Sequence, residues 1–260
     1  MKKSVNLYFN YCADSTERIK EIKKQGYNEF FTGIYDKPES LTWQQQLKLA
    51  NDLGLGCTMM HCSYYEPDLN AFWEENELGD AVCEKYIKQI QECGAYCNNF
   101  VVHLNGSKGS KQSEIGLKRI MRMLKECEKH NVNLCIENLY SAQEIPYIFS
   151  NISHPLLKIC YDCGHKNFLT PEFDVCKQYG RYITTLHLHE NNGIADEHKK
   201  LTVGSNVFKG LEKDLEYITP NITLAAEIKY KGEDWQQYLQ ENLDVLNILE
   251  NNICLHNFKK

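Results

Sequence analysis

Six short apolar runs in this chain end on side chains that can bind a metal ion or move a proton. They read Met59-Met60-His61, Val101-Val102-His103, Cys135-Ile136-Glu137, Tyr161-Asp162, Leu186-His187 and Ala225-Ala226-Glu227. His165 stands three residues beyond Asp162, His189 two beyond His187, and Asp196 and His198 follow in the next polar stretch. A buried imidazole or carboxylate must be hydrogen-bonded, paired or metal-bound. One such residue at the end of a strand is an ordinary core group; six in succession form a pattern. Brought to one place, Glu137, Asp162, Asp196 and Glu227 would repel one another, and a divalent cation resolves that repulsion. Mixed His, Asp and Glu donors suit Zn²⁺, Mn²⁺, Fe²⁺ or Co²⁺ better than Ca²⁺. His187 and His189 face one side of a strand, so only one of them need be a ligand.

The elements that must position these residues follow a strand-helix rhythm. Apolar, β-branched runs predict strands at Val5–Phe9, Glu29–Thr32, Cys57–His61, Phe100–Leu104, Asn133–Asn138, Leu157–Asp162, Ile183–His189 and Thr223–Ile228. Between them, helical spacing of apolar residues predicts helices at Ser15–Gln25, Thr42–Leu53, Gly79–Cys93, Ser113–His130, Ala142–Phe149, Pro171–Tyr179, Val207–Tyr217 and Trp235–Asn251. Eight strands, each followed by a helix, give the count of an α/β (β/α)8 TIM barrel with a parallel sheet. The alternative, an open doubly wound sheet, lacks a GxGxxG after its first strand, so dinucleotide binding has no support. The long connections Cys62–Leu78, Asn105–Gln112 and Glu190–Asn206 all follow strands, on the face where barrel enzymes keep their active sites.

Bulk properties narrow the partners. A chain of 260 residues suits one domain spanning 1–260, and 42% hydrophobic residues fill a large core. The net charge of −6 supplies no basic field for nucleic acid or an anionic membrane. The N-terminal Met1-Lys2-Lys3 precedes no signal-like apolar run, and no stretch reaches the roughly 20 apolar residues of a membrane helix. The 12 cysteines therefore read as reduced thiols of a cytoplasmic protein, the CxxC of Cys160 and Cys163 included. Lys108, Lys111, Lys199 and Lys200 could meet a phosphate or face solvent. Tyr64-Tyr65 and Phe72-Trp73 could stack on a sugar or base, or pin their loop. His130, His154 and His256 carry no assigned role.

Val-Val-His103, Ile-Glu137-Asn138-Leu, Asp162-Cys-Gly-His165, His187-Leu-His189-Glu-Asn-Asn-Gly, Asp196-Glu-His198 and Glu227 occur in one order along the chain. In this order the sequence resembles the xylose-isomerase-like TIM-barrel superfamily of sugar isomerases, sugar 3-epimerases and apurinic endonucleases, over nearly its whole length. The epimerase branch implies one metal held at Glu137, Asp162, His187 and Glu227, with the two glutamates as the acid/base pair. The endonuclease branch implies further ligands at His61, His103, His165, Asp196 and His198, for up to three zinc ions. The chain departs from the pattern at Val203-Gly204-Ser205-Asn206, where relatives often carry Gly-x-Gly, and its second-strand loop, Thr32-Gly33-Ile34-Tyr35-Asp36-Lys37, lacks DNA-penetrating basic character.

The expected activity is isomerisation or epimerisation of a sugar or sugar phosphate, with one to three Zn²⁺ or Mn²⁺ ions as cofactor. His61, His165 and His189 are expected to contact substrate. A zinc-dependent phosphodiesterase acting on abasic DNA is the alternative, and a non-enzymatic sugar-binding barrel the third reading.

Overall fold

The apolar runs form eight parallel strands: β1 (Lys3–Asn6), β2 (Glu29–Gly33), β3 (Gly56–His61), β4 (Asn99–Val102), β5 (Asn133–Glu137), β6 (Leu157–Asp162), β7 (Ile183–His187) and β8 (Leu224–Ala226). These come from a computed structural model that describes residues 1–10, 13–34, 40–63, 67–106 and 110–257. The hydrogen-bonded order is β7-β6-β5-β4-β3-β2-β1-β8. Just past β7, the Leu188 amide donates to Ala225 O at 2.9 Å and the Glu227 amide to Leu188 O at 3.0 Å. That bridge joins the two ends, giving the expected (β/α)8 barrel.

The helices are α1 (Ser15–Gln25), α2 (Trp43–Asp52), α3 (Glu77–Cys93), α4 (Glu114–His130), α5 (Glu144–Asn151), α6 (Cys163–Phe168), α7 (Val175–Tyr179), α8 (Asn206–Asp214) and α9 (Trp235–Asn257). Local chemistry sets their ends. Asp14 accepts from the amides of Thr16 and Glu17 to start α1, Gly26 closes it at φ 99°, and Thr42 with Gln45 forms a capping box on α2.

Several boundaries differ from the sequence expectation, for identifiable reasons. β1 ends at Asn6 because the Asn6 carboxamide pairs with the backbone of Ile228, at 3.0 and 2.9 Å, and Leu7–Phe9 then turns as a 3₁₀ helix. The helix expected over Pro171–Tyr179 shortens to α7, where Asp174 accepts from the Lys177 amide. α6 was not expected: at six residues it is too short to show periodicity, and Asp162 starts it by accepting from the His165 amide at 2.6 Å. His189, expected inside strand seven, lies two residues beyond it.

Two apolar layers result. Isoleucine, leucine and aromatic side chains fill the shell between sheet and helices. Inside the barrel a smaller cluster collects Tyr8, Phe31, Met59, Val101, Cys135, Cys160 and Ala225. The described cysteines form no disulfide, and none joins a group of possible metal ligands, so the CxxC at Cys160 and Cys163 serves as packing. Among the described residues no helix is long and apolar enough to cross a membrane.

Candidate metal centre

The strand period of two builds the site directly on the inner cluster. Met59 precedes His61 by two positions, and the same step links Val101 to His103, Cys135 to Glu137, Cys160 to Asp162 and Ala225 to Glu227. Side chains two apart on a strand share a face, so each residue stands one layer above a barrel-core residue. Buried Thr185 and His187 continue the rule on β7. The layer opens at the C-terminal ends of the strands.

Glu137 stands at its centre. Its Oε2 lies 3.0 Å from His103 Nε2 and 3.3 Å from both His61 Nε2 and His187 Nδ1, and its Oε1 lies 2.9 Å from His165 Nδ1. Glu227 Oε2 also lies 3.3 Å from His187 Nδ1. Asp162 reaches His189 Nε2 at 3.1 Å, and Asp196 reaches His198 Nε2 at 2.7 Å. All nine residues named as metal ligands from the sequence thus belong to one network, and His189 joins them. Four triplets present ligand atoms within 4.8 Å of one another: His61/Glu137/His187, Asp162/His187/Glu227, Asp162/His165/His189 and His189/Asp196/His198. His103 lies outside these triplets, against Glu137. His189, expected to contact substrate, takes part in two of them and is absent from the cavity wall.

The chemistry of these donors fits a cation. His61 Nδ1 faces Cys62 O at 2.8 Å and His198 Nδ1 faces Glu227 O at 3.1 Å. A carbonyl only accepts, so each Nδ1 carries a proton, and each Nε2 faces a carboxylate. A nitrogen and a carboxylate oxygen so placed need a proton or a metal between them. Both ring nitrogens of His187, with Nδ1 of His165 and of His189, are buried without a hydrogen bond of good geometry. The Glu137 oxygen near His165 Nδ1 is close enough but off the hydrogen-bond line. Unsatisfied buried nitrogens are costly and call for a partner.

Electrostatics agree. Burial would raise the carboxyls of Glu137 and Glu227, yet the imidazoles around them, His187 above all, hold both well below the usual range. Burial opposes charge on His187 and His165 in turn. Cys160, Glu227 and Glu137 nevertheless hold His187 well above the ordinary imidazole value, and Asp162, Asp196 and Glu137 do so for His165. His189 is raised the same way, by Asp162 against burial. Protons and a cation thus compete for these imidazole nitrogens. Metal affinity therefore rises with pH through those raised values and falls on acidification. Calorimetric titration of metal-free protein with Zn²⁺, in buffers of different ionisation enthalpy, should show release of at least one proton per ion.

Residues to which the sequence assigns no role hold the site in place. The Tyr8 hydroxyl donates to Glu227 Oε1 at 2.5 Å, leaving Oε2 to face His187. Asn138 clamps the end of β6, donating to Asp162 O at 2.9 Å and accepting from the Asp162 amide at 2.8 Å. Phe31 stacks on His187 at 5.4 Å between ring centroids. Gly164 has no substitute: a Cβ there would stand 2.0 Å from His189 Cε1.

Above the layer lies a cavity of about 310 Å³. The strand-end residues Glu137, Glu227, His61, His103, His165, Asp196 and His198 line it, together with Asp68, Asn70, Asn105, Tyr140 and Lys229. Phe72 and Trp73 are buried, so they pin their loop. Lys199 and Lys200 pair with Glu197 and Glu241, and neither they nor Lys111 reach the wall. Tyr64, Tyr65 and Lys108, part of the second-strand loop, and the side chain of His256 lie outside the described residues.

The comparisons with known proteins match this architecture. The family model for the xylose isomerase-like TIM barrel covers residues 19–249. An uncharacterized protein of Methanocaldococcus jannaschii is 30% identical over 209 residues, 76% of this chain and 80% of that protein. A second uncharacterized protein, from Sinorhizobium fredii, is 30% identical over 79 residues, so the match spans only 25% of its length. Among solved structures, D-psicose 3-epimerase from Clostridium cellulolyticum H10 superposes with a TM-score of 0.74 at 14% identity, covering 97% of this chain and 99% of that one. An L-ribulose 3-epimerase superposes at 0.76 with 11% identity, covering 100% and 98%. At these identities the likeness is one of fold. With the family model matched over residues 19–249, the chain belongs to the xylose isomerase-like TIM-barrel family.

Proposed function

We propose that this protein is a divalent-metal-dependent isomerase or epimerase acting on a sugar or sugar phosphate. One observation carries the reading: Glu137 and Glu227 approach the same nitrogen of His187, each at 3.3 Å, and both face the cavity. Such a pair can exchange protons with a substrate held between them. Glu137, Asp162, His187 and Glu227 would hold one ion, and His61, His165, His189, Asp196 and His198 offer donors for more. A cation bound there supplies a Lewis acid for the carbonyl and an adjacent hydroxyl. Glu227, its Oε1 fixed by Tyr8, takes the proton from the carbon beside the carbonyl. That C–H electron pair becomes a C=C bond as the carbonyl pair moves onto oxygen. A proton passed through Glu137 to the opposite face of that carbon restores the carbonyl with the centre inverted. Passed to the former carbonyl carbon, it moves the carbonyl, provided the neighbouring hydroxyl gives its proton to the oxyanion. General acid–base help of this kind contributes around 10² to 10⁴-fold.

The cavity volume stands near the lower end of small-ligand sites, roughly 300 to 1,000 Å³, a size for a monosaccharide. Solved members of similar fold include epimerases of D-psicose and L-ribulose. The enlarged donor set favours one second reading, a zinc phosphodiesterase, but the net charge of −6 opposes binding to a polyanion. Metal-loaded protein incubated in D₂O with aldoses, ketoses and their phosphates, beside an abasic duplex at low salt, separates the two. The isomerase reading expects deuterium in a substrate C–H and an uncut duplex. Cleavage of the duplex without exchange into any sugar overturns it.

A further inference from the structure

Above the proposed catalytic layer, three loops are tied together by one buried carboxyl group. Glu144 opens α5, after β5, and is 2% exposed. Its Oε2 accepts from the indole Nε1 of Trp73, in the loop after β3, at 3.1 Å. The same oxygen accepts from Nδ2 of Asn105, in the loop after β4. Trp73 is itself locked, since its ring lies where a Cβ on Gly116 would come within 2.0 Å of Cε3, and Ser113 Oγ donates to its carbonyl. Arg119 donates to the carbonyls of Phe72 and Glu74 on either side, at 2.6 and 2.7 Å.

This arrangement dictates which way round Asn105 sits. Asn105 Nδ2 and Trp73 Nε1 both donate to the same oxygen, Oε2, so the carboxamide turns its NH₂ toward Glu144 and its oxygen away. Asn105 lines the cavity, is 1% exposed, and its Oδ1 has no hydrogen-bond partner. A buried acceptor without a donor destabilises the free protein, so it marks a place where a ligand supplies the donor. The donor that fits is a hydroxyl. An anionic group would meet the negative end of the carbonyl dipole and be turned away.

We infer that Asn105 is a specificity-determining residue whose Oδ1 accepts a hydroxyl of a neutral sugar, and that Glu144 is the positioning residue fixing the carboxamide in that orientation. This rests on the cavity being a sugar site. Burial pushes the Glu144 carboxyl up to about 7, against the two N–H donors that meet at its Oε2.

The test is direct binding of D-fructose, D-tagatose and D-allulose to metal-loaded full-length protein by calorimetry, with kcat and KM for solvent exchange. Wild type should bind at least one of them. Asn105→Leu should weaken that binding roughly 10-fold, the loss of one hydrogen bond. It should also raise KM in step, leave kcat within about 3-fold and leave the metal content unchanged. Glu144→Leu should reproduce the effect. Glu144→Gln should recover it, because the amide oxygen still accepts from Asn105 and Trp73. Of the monodeoxy analogues of the bound sugar, one should lose affinity in wild type and be indifferent to Asn105→Leu. If wild type binds none of the three sugars, the reading of the cavity fails before any variant is made. If wild type binds and Asn105→Leu binds equally well, this inference alone is overturned. Should Asn105→Leu weaken binding while Glu144→Leu, folded, does not, the positioning role is overturned.

Discussion

Glu227→Gln should lower solvent-deuterium exchange into a bound ketose by on the order of 10² or more while metal remains bound. The argument starts from its two oxygens. Oε1 accepts from the Tyr8 hydroxyl at 2.5 Å and Oε2 faces His187 at 3.3 Å, so only Oε2 is placed for proton transfer or ligation. Glutamine keeps a carbonyl oxygen for the metal and a polar group for Tyr8, but no base. Substrate affinity should therefore change little and kcat should carry the loss, the pattern of an interaction needed in the transition state alone. Tyr8→Phe should act in the same direction and far more weakly, since the base survives with one oxygen unanchored. Equal exchange rates for wild type and Glu227→Gln, at equal metal content, would remove Glu227 from the chemistry.

Asp162→Ala and His187→Ala should each abolish stoichiometric metal binding. Asp162 enters two triplets and His187 two, one of them common to both. Both are fully buried. Removing either leaves carboxylates facing one another with no cation to offset them, which disfavours the charged state strongly. Asp162→Ala should cost stability as well, because Asp162 also caps α6 through the His165 amide. Loss of an N-cap costs about 0.5–2 kcal/mol. Asp162→Asn, which can still cap, separates the two effects: Tm should recover in the metal-free state while metal content stays low. Full metal retention in both alanine variants would show that the ion sits elsewhere.

How much of this could be read from the chain depends on where each signal lies. The strand-end residues are legible because a period of two carries the same inward face from an apolar residue to a polar one, as from Cys135 to Glu137. Eight repeats of strand and helix make the barrel legible for the same local reason. Residues whose role depends on a distant partner are not. Tyr8 reads as one more aromatic in an apolar run, and its partner Glu227 is 219 residues away. Asn6 and Asn138 look like loop formers, yet their carboxamides complete backbone pairing across neighbouring strands. Glu144 reads as the acidic first turn of an amphipathic helix, and only the loops folded over it make it a buried junction. α6 escapes because six residues cannot display a helical period.

The central claim is that the strand-end layer holds a divalent cation, and counting that cation tests it most directly. Protein purified without chelator in the presence of Zn²⁺ or Mn²⁺ should carry at least one ion per chain by elemental analysis. Anomalous scattering at the metal edge should place one of them among Glu137, Asp162, His187 and Glu227. A folded protein that carries no ion under those conditions would contradict the account.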